Sequence, residues 1–169
     1  EPISAERMWD NYAYFIRAVA PVAEEAGVRL ALHPDDPPVA KVGGRGRIFT
    51  SVNAFKRAME IADSPAWGIN FCIGSCSSME GGARNVYEMI DYFGPLGKLV
   101  YAHFRDVQGS GSKFNECFLG DGNINPADVM RALKKVGFTS FMIDDHVPWL
   151  DYDDDFGHRR MTVLSKHDV

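Results

Sequence analysis

The sequence predicts an α/β fold built on a parallel sheet, and three observations lead to this prediction. Helix-like and strand-like segments alternate as far as residue 143, and strands joined by long helical connections pair in parallel. The strand-like segments are short and apolar, as expected for strands that are buried on both faces. With 169 residues, the chain is long enough for one domain and too short for two ordinary ones.

Four helices are predicted from apolar residues at helical spacing. The first ends at Gly27, and the second has Ser51 as a suitable N-cap. Gly94 and Pro95 end the third, and Pro126 lies in the first turn of the fourth. The predicted helices cover residues 5–26, 51–62, 82–93 and 127–136.

Four strands are predicted over 28–32, 67–71, 98–102 and 141–143. Each strand leads into a side chain that binds metals well, and the carboxyl ends of parallel strands are where α/β enzymes form their active sites. Imidazole, thiolate and carboxylate groups together suit a divalent ion such as Mn²⁺, Fe²⁺, Co²⁺ or Zn²⁺. The candidate ligands are His33, Cys72, His103 and either Asp144 or Asp145, between which the spacing does not choose.

Two connections, the glycine-rich 41–47 and the long 105–123, are predicted to be loops. Four βα units suit either a small doubly wound sheet or half of an eight-stranded barrel. A full barrel takes about 250 residues, so on the second alternative roughly one hundred are missing and the chain is a fragment. A half-barrel leaves strand edges unpaired, and we therefore expect a homo-oligomer.

Composition argues against several classes of protein. A net charge of −5 does not suit a nucleic-acid partner, and no apolar run approaches the ~20 residues of a membrane helix. Three cysteines are an odd number, and the first residues carry no apolar signal-peptide segment. We expect a cytoplasmic protein without a nucleic-acid or membrane partner.

Two further residues are candidates for substrate binding and proton transfer. Arg105 lies two residues beyond His103, on the same face of an extended segment, where its guanidinium can grip a carboxylate. The alternative is an ion pair with Asp35, Asp36 or Asp106. His146 follows the acidic pair and can transfer protons near neutral pH, or else packs under the tail.

The motifs around these residues resemble those of the metal-dependent mannonate dehydratase family, whose barrel is similar to the xylose isomerase-like TIM barrels. The resemblance implies that 1–169 is a single, partial TIM-barrel domain supplying roughly the C-terminal half of a (β/α)8 barrel, in four βα units. The matching stretches are LALHPDDPP (30–38), GRIFTS (46–51), GINFCIGS (68–75), HFRDVQG (103–109), KFNECFLGDG (113–122) and DDHVP (144–148).

The resemblance also implies roles for individual residues. It selects Asp145 as the fourth ligand beside His33, Cys72 and His103, because the family's ligand immediately precedes its catalytic histidine. That histidine corresponds to His146, and Arg105 to the family's substrate-binding arginine. Mn²⁺ is the expected ion, with Fe²⁺, Co²⁺ and Zn²⁺ as alternatives.

The implied activity is a hydro-lyase reaction, the dehydration of D-mannonate or a related sugar acid to 2-keto-3-deoxy-D-gluconate. The family uses a tyrosine beyond the Asp-His pair, and the tail offers His158 or Tyr152 for the second proton transfer. One alternative is a sugar isomerase or epimerase on the same barrel. A catalytically silent metal-binding fragment is another.

Overall fold

The computed structural model describes residues 2–148, in which helices and strands alternate as predicted. The helices are α1 (Ala5–Glu25), α2 (Val52–Ala62), α3 (Ile73–Ser78), α4 (Arg84–Phe93) and α5 (Pro126–Lys135). The strands are β1 (Leu30–Leu32), β2 (Lys41–Val42), β3 (Arg45–Gly46), β4 (Trp67–Cys72), β5 (Leu99–Phe104), β6 (Asp106–Ser110), β7 (Lys113–Cys117) and β8 (Phe141–Asp144).

The main sheet has four strands in the order β1-β4-β5-β8, and all of its pairings are parallel. This arrangement confirms the predicted α/β fold. Its register places Cys72 opposite His103 and Phe104 opposite Asp144, so the strands end at one edge. The first strand begins two residues later than predicted, because the amide of Val28 still donates to the α1 carbonyl of Ala23.

The predicted helix boundaries agree closely with the structure. The Ser51 hydroxyl accepts a hydrogen bond from the Ala54 amide at 3.2 Å, and Pro126 is the first residue of α5. The third helix begins at Arg84 rather than 82, because Gly82 has a φ of +68° and cannot belong to a right-handed helix.

The helices cover the sheet with an apolar core in which Phe55, Phe71 and Phe93 are fully buried. Polar atoms within this core are paired: the Trp67 indole donates to the Tyr12 hydroxyl, which donates to the carbonyl of Ala58. Within residues 2–148, no helix combines the length and the apolar character needed to cross a membrane.

Two segments that were predicted as loops contain β-hairpins instead. β2 pairs with β3, and β6 pairs with β7, both in antiparallel fashion. The second hairpin turns through Gly111, whose φ of +64° suits a tight turn. The loop prediction was wrong because it gave weight to the glycines and polar residues of 105–123 and overlooked the alternation of β7, in which Phe114 is buried between exposed neighbours.

The short helix α3 was also missed by the sequence analysis. Its six residues are mostly small and polar, a composition of low helix propensity, yet all of them are buried. The hydroxyls of Ser77 and Ser78 donate to backbone carbonyls three residues earlier, at 2.9 Å each. Because the hydroxyls are satisfied locally, the helix can pack in the interior.

A buried carboxylate, that of Asp106, fixes the β6–β7 hairpin against the loop that follows it. Its two oxygens accept hydrogen bonds from the amides of Val107, Gly120, Gly122 and Asn123, at 2.9–3.1 Å. One carboxylate thus serves as the shared acceptor for four amides, including that of the buried Val107.

We expect Asp106→Ala to lower the free energy of unfolding by about 2–4 kcal/mol, because it removes the buried acceptor that the amides of Val107, Gly120 and Gly122 share. Urea unfolding followed by circular dichroism measures this change. Asp121→Ala, which removes an exposed carboxylate from the same loop, is the matched control and should change the stability by less than about 0.5 kcal/mol. Equal effects of the two substitutions would contradict the assignment.

Candidate metal centre

Three of the predicted ligands meet at the carboxyl edge of the sheet. His33, Cys72 and His103 each offer one donor atom, and these atoms all lie within 4.8 Å of one another. The side chains come from the ends of β1, β4 and β5, which are neighbours in the sheet. Parallel pairing therefore brings together residues that are far apart in the sequence.

The fourth predicted ligand, Asp145, lies directly after β8 and beside two of these side chains. Its Oδ2 atom is 3.6 Å from the Cys72 sulfur and 3.4 Å from Nδ1 of His103. Asp144, the alternative that spacing left open, ends β8 and is exposed. The geometry therefore favours Asp145, because successive residues of an extended segment point to opposite faces.

The histidine rings are held by groups just outside the cluster. Nδ1 of His33 donates to the carbonyl of Pro34 at 2.7 Å, which leaves Nε2 of the neutral ring with its lone pair. Nε2 of His103 contacts the Asn70 amide at 3.1 Å. Nδ1 of His103 is buried without a hydrogen bond and faces Asp145.

This donor set fits a divalent ion. Two imidazoles, a thiolate and a carboxylate match the ligands of borderline transition metals, and an unsatisfied buried ring nitrogen is the group that a cation would satisfy. Among the described residues, His33, Cys72 and His103 therefore form a group able to hold a metal ion, and Asp145 as the fourth ligand stays a prediction.

The electrostatic surroundings favour the thiolate form of Cys72. Burial by itself raises the pKa of this thiol, but the nearby imidazoles of His103 and His33 and the positive charge of Arg105 outweigh it and lower the pKa to about 6. Cys76, four residues further along, has no such partners, and burial raises its pKa well above the ordinary value. Only the first of the two is therefore prepared to bind a metal as a thiolate.

Arg105 lies against the cluster and is only 1% exposed. Its Nη1 atom is 2.5 Å from Oδ2 of Asp36 and 3.7 Å from the Cys72 sulfur. Nε donates to Oε2 of Glu116 at 2.9 Å, and Nη2 donates to Oε1 of the same carboxylate. The ion pair with Asp36 is one of the alternatives that the sequence left open, and the pair with Glu116 is new. Substrate binding by Arg105 stays a prediction.

His146 is partly buried beside the same cluster. Its Nδ1 atom is 3.1 Å from Oε1 of Glu116, and its Nε2 atom is 3.8 Å from Oδ1 of Asp145. The hydrogen bond to Glu116 raises the pKa of His146 above its ordinary value. The other two candidates for proton transfer, His158 and Tyr152, lie outside the described residues, so their roles also stay predictions.

Sequence reasoning missed Asn70 and Glu116. A signal for Glu116 was present, because it alternates with the apolar Phe114 and therefore shares the buried face of β7. Asn70 lies inside an apolar strand, and the sequence does not indicate that its side-chain amide contacts His103 on the neighbouring strand.

In the metal-free protein, we expect an ultraviolet thiolate absorbance that is lost on acidification with a midpoint near pH 6. The neighbouring imidazoles and guanidinium stabilise the anion, so Cys72 is deprotonated at neutral pH. The step should be missing in Cys72→Ser and retained in Cys117→Ser, since burial raises the pKa of Cys117 to about 11. A midpoint at about 8.5, the ordinary thiol value, would contradict this assignment.

The chain is similar to mannonate dehydratases in both sequence and structure. It is 38% identical over 147 residues to "Mannonate dehydratase 2" of Halalkalibacterium halodurans, a match that covers 85% of this chain and 42% of that protein. The crystal structure of mannonate dehydratase from Streptococcus suis serotype 2 superposes with a TM-score of 0.81 at 31% identity, covering 98% of this chain and 49% of that one. The chain thus spans about half the length of these relatives.

A more distant structure extends the likeness in fold alone. A xylose isomerase-like TIM barrel protein from Mycobacterium smegmatis superposes with a TM-score of 0.64 at 14% identity, over 98% of this chain and 50% of that protein. The four parallel strands therefore correspond to half of a TIM barrel of this type. The family model described as D-mannonate dehydratase (UxuA) matches residues 1–159, and the chain belongs to that family.

Proposed function

We propose that this chain carries the metal-binding edge of a hydro-lyase that dehydrates D-mannonate, or a related sugar acid, to 2-keto-3-deoxy-D-gluconate. The observation that carries the proposal is the convergence of His33, Cys72 and His103, with Asp145 beside two of them. The relatives above 30% identity bear the name mannonate dehydratase, which favours dehydration over isomerisation or epimerisation.

The metal ligands in this proposal are His33, Cys72, His103 and Asp145, and the ion is Mn²⁺, with Fe²⁺, Co²⁺ and Zn²⁺ as alternatives because of the thiolate. A bound ion supplies Lewis acidity to the carboxylate and 2-hydroxyl of the substrate. The His33–Pro34 hydrogen bond keeps one imidazole oriented for this role.

The remaining residues bind the substrate and move protons. Dehydration removes the proton on C2 and protonates the hydroxyl that leaves C3, so it needs one base and one acid. His146 takes one of these roles, and His158 or Tyr152 takes the other. Arg105 binds the substrate carboxylate in this proposal, and its guanidinium lies close to the proposed metal position, with Nη1 3.9 Å from Oδ2 of Asp145.

The proposed setting is the cytoplasm, because the three cysteines are free thiols and a reducing compartment preserves them.

We also propose that the protein acts as a homo-oligomer, since the edge strand β8 exposes 79% of Phe141 and 45% of Ile143. The substrate is a small sugar acid, and neither nucleic acid nor membrane takes part.

Elemental analysis of protein purified without added metal tests the metal site. We expect about one divalent ion per chain, and a loss of affinity of at least about tenfold in Cys72→Ser, since the thiolate is a ligand. Cys117→Ser removes a cysteine outside the cluster and should retain the metal. Failure of the unaltered protein to bind any ion would overturn the proposal, as would full retention of metal in Cys72→Ser.

We expect His146→Ala to keep its metal and to lose turnover by about 10²–10⁴-fold, because it removes a proton-transfer group and no ligand. A colorimetric keto-acid assay with D-mannonate and related sugar acids measures the turnover. Asp144→Asn changes an exposed neighbour and should retain both metal and activity. Undiminished keto-acid formation in His146→Ala would exclude a role for this histidine.

A further inference from the structure

The carboxylate of Glu116 connects two residues that the proposed function uses. Oε2 accepts a hydrogen bond from Nε of Arg105 at 2.9 Å, and Oε1 accepts a second one from Nη2. Oε1 is also 3.1 Å from Nδ1 of His146. One buried side chain thus contacts the proposed substrate-binding arginine and the proposed proton-transfer histidine at the same time.

The backbone gives Glu116 little freedom to move. It lies on β7, pairs across the hairpin with Val107, and its side chain is only 3% exposed. Asp106, at the start of the hairpin, binds the amides of the loop that follows β7. The backbone pairing of the hairpin and the two hydrogen bonds from Arg105 therefore hold the carboxylate in place.

The chemistry of this contact fixes the proton on the His146 ring. A carboxylate that is paired with a guanidinium accepts hydrogen bonds and donates none. Nδ1 of His146 must therefore carry the proton that bonds to Glu116. In the neutral ring the other nitrogen, Nε2, then bears the lone pair, and it lies 3.8 Å from Oδ1 of Asp145, towards the metal centre.

A purely structural role, in which Glu116 only neutralises the charge of Arg105, does not explain its contact with His146. Arg105 already has a second carboxylate partner, because its Nη1 atom is 2.5 Å from Oδ2 of Asp36. Neutralising the guanidinium does not require Glu116 to share Oε1 with an imidazole. The shared oxygen is the feature that a positioning role explains.

We propose that Glu116 is a positioning residue that fixes the tautomer and ring orientation of His146, so that Nε2 faces the metal centre. The kinetic part of this inference rests on the proposed function, whereas the tautomer is a property of the protein itself. A carboxylate that orients a catalytic imidazole in this way also disfavours the tautomer that has the proton on the working nitrogen.

Long-range ¹H–¹⁵N spectra of the purified protein, recorded where the His146 ring is neutral, test the tautomer directly. We expect a protonated Nδ1 in the unaltered protein and a substantial population of protonated Nε2 in Glu116→Ala. His146→Gln assigns the signals. Glu88→Ala removes an exposed glutamate that pairs with Lys56 and should leave the spectrum unchanged. An unaltered His146 tautomer in folded Glu116→Ala would overturn the proposal.

A double-mutant cycle tests the consequence for turnover. We expect Glu116→Ala to lower kcat by about 10–100-fold while the metal is retained, and to add less than about twofold to the loss caused by His146→Ala. Losses that multiply would overturn the positioning role, since Glu116 would then act independently of His146. If Glu116→Ala unfolds, Glu116→Met fills a similar volume without an oxygen acceptor and serves for both measurements.

The outcomes separate this inference from the proposed function. Absence of dehydration by the unaltered protein would contradict the activity, while the His146 tautomer would still decide whether Glu116 positions the ring. Dehydration with an unchanged tautomer in Glu116→Ala would retain the activity and remove the positioning role.

Discussion

The Arg105 guanidinium is almost completely buried, and burying an unpaired charge costs several kcal/mol. The carboxylates of Asp36 and Glu116 and the sulfur of Cys72 surround it and offset this cost. Since these three groups come from three different segments of the chain, their attraction to one cation draws those segments together. The same charge stabilises the Cys72 thiolate, so the interaction that holds these segments together also favours the form of Cys72 that the proposed metal site uses.

The local backbone is built to admit this arginine. A Cβ atom on Gly74 would lie 2.8 Å from Cγ of Arg105, so the first turn of α3 needs a glycine there. The hydroxyls of Ser77 and Ser78 donate to carbonyls of the same segment, which lets the helix pack beside the cluster. On the other side, the Asp106 carboxylate fixes the hairpin that carries Glu116. The site therefore depends on two elements that local sequence patterns did not predict, the short helix α3 and the β6–β7 hairpin.

The relation to mannonate dehydratases concerns one half of a barrel. The chain spans 42% of one curated relative and 49% of a solved structure, and its four parallel strands present their carboxyl ends as one edge. The cluster of His33, Cys72 and His103 is made by side chains of this half alone, because β1, β4 and β5 are neighbours, and Asp145 after β8 lies beside it. A site whose ligands come from adjacent strands needs only the register of those strands to form.

The sequence by itself determined the α/β alternation, the positions of four strands and four helices, and the residues at the strand ends, because these follow from periodicity and turn chemistry along the chain. It also supplied the family resemblance through motifs such as LHPDDPP. The resemblance had already selected Asp145, but only the tertiary structure showed its contacts with Cys72 and His103. It alone showed that Arg105 pairs with Asp36 and Glu116 and that Glu116 contacts His146. These contacts join residues 11–73 positions apart, and local patterns carry no information about partners that a sheet register and a hairpin bring together.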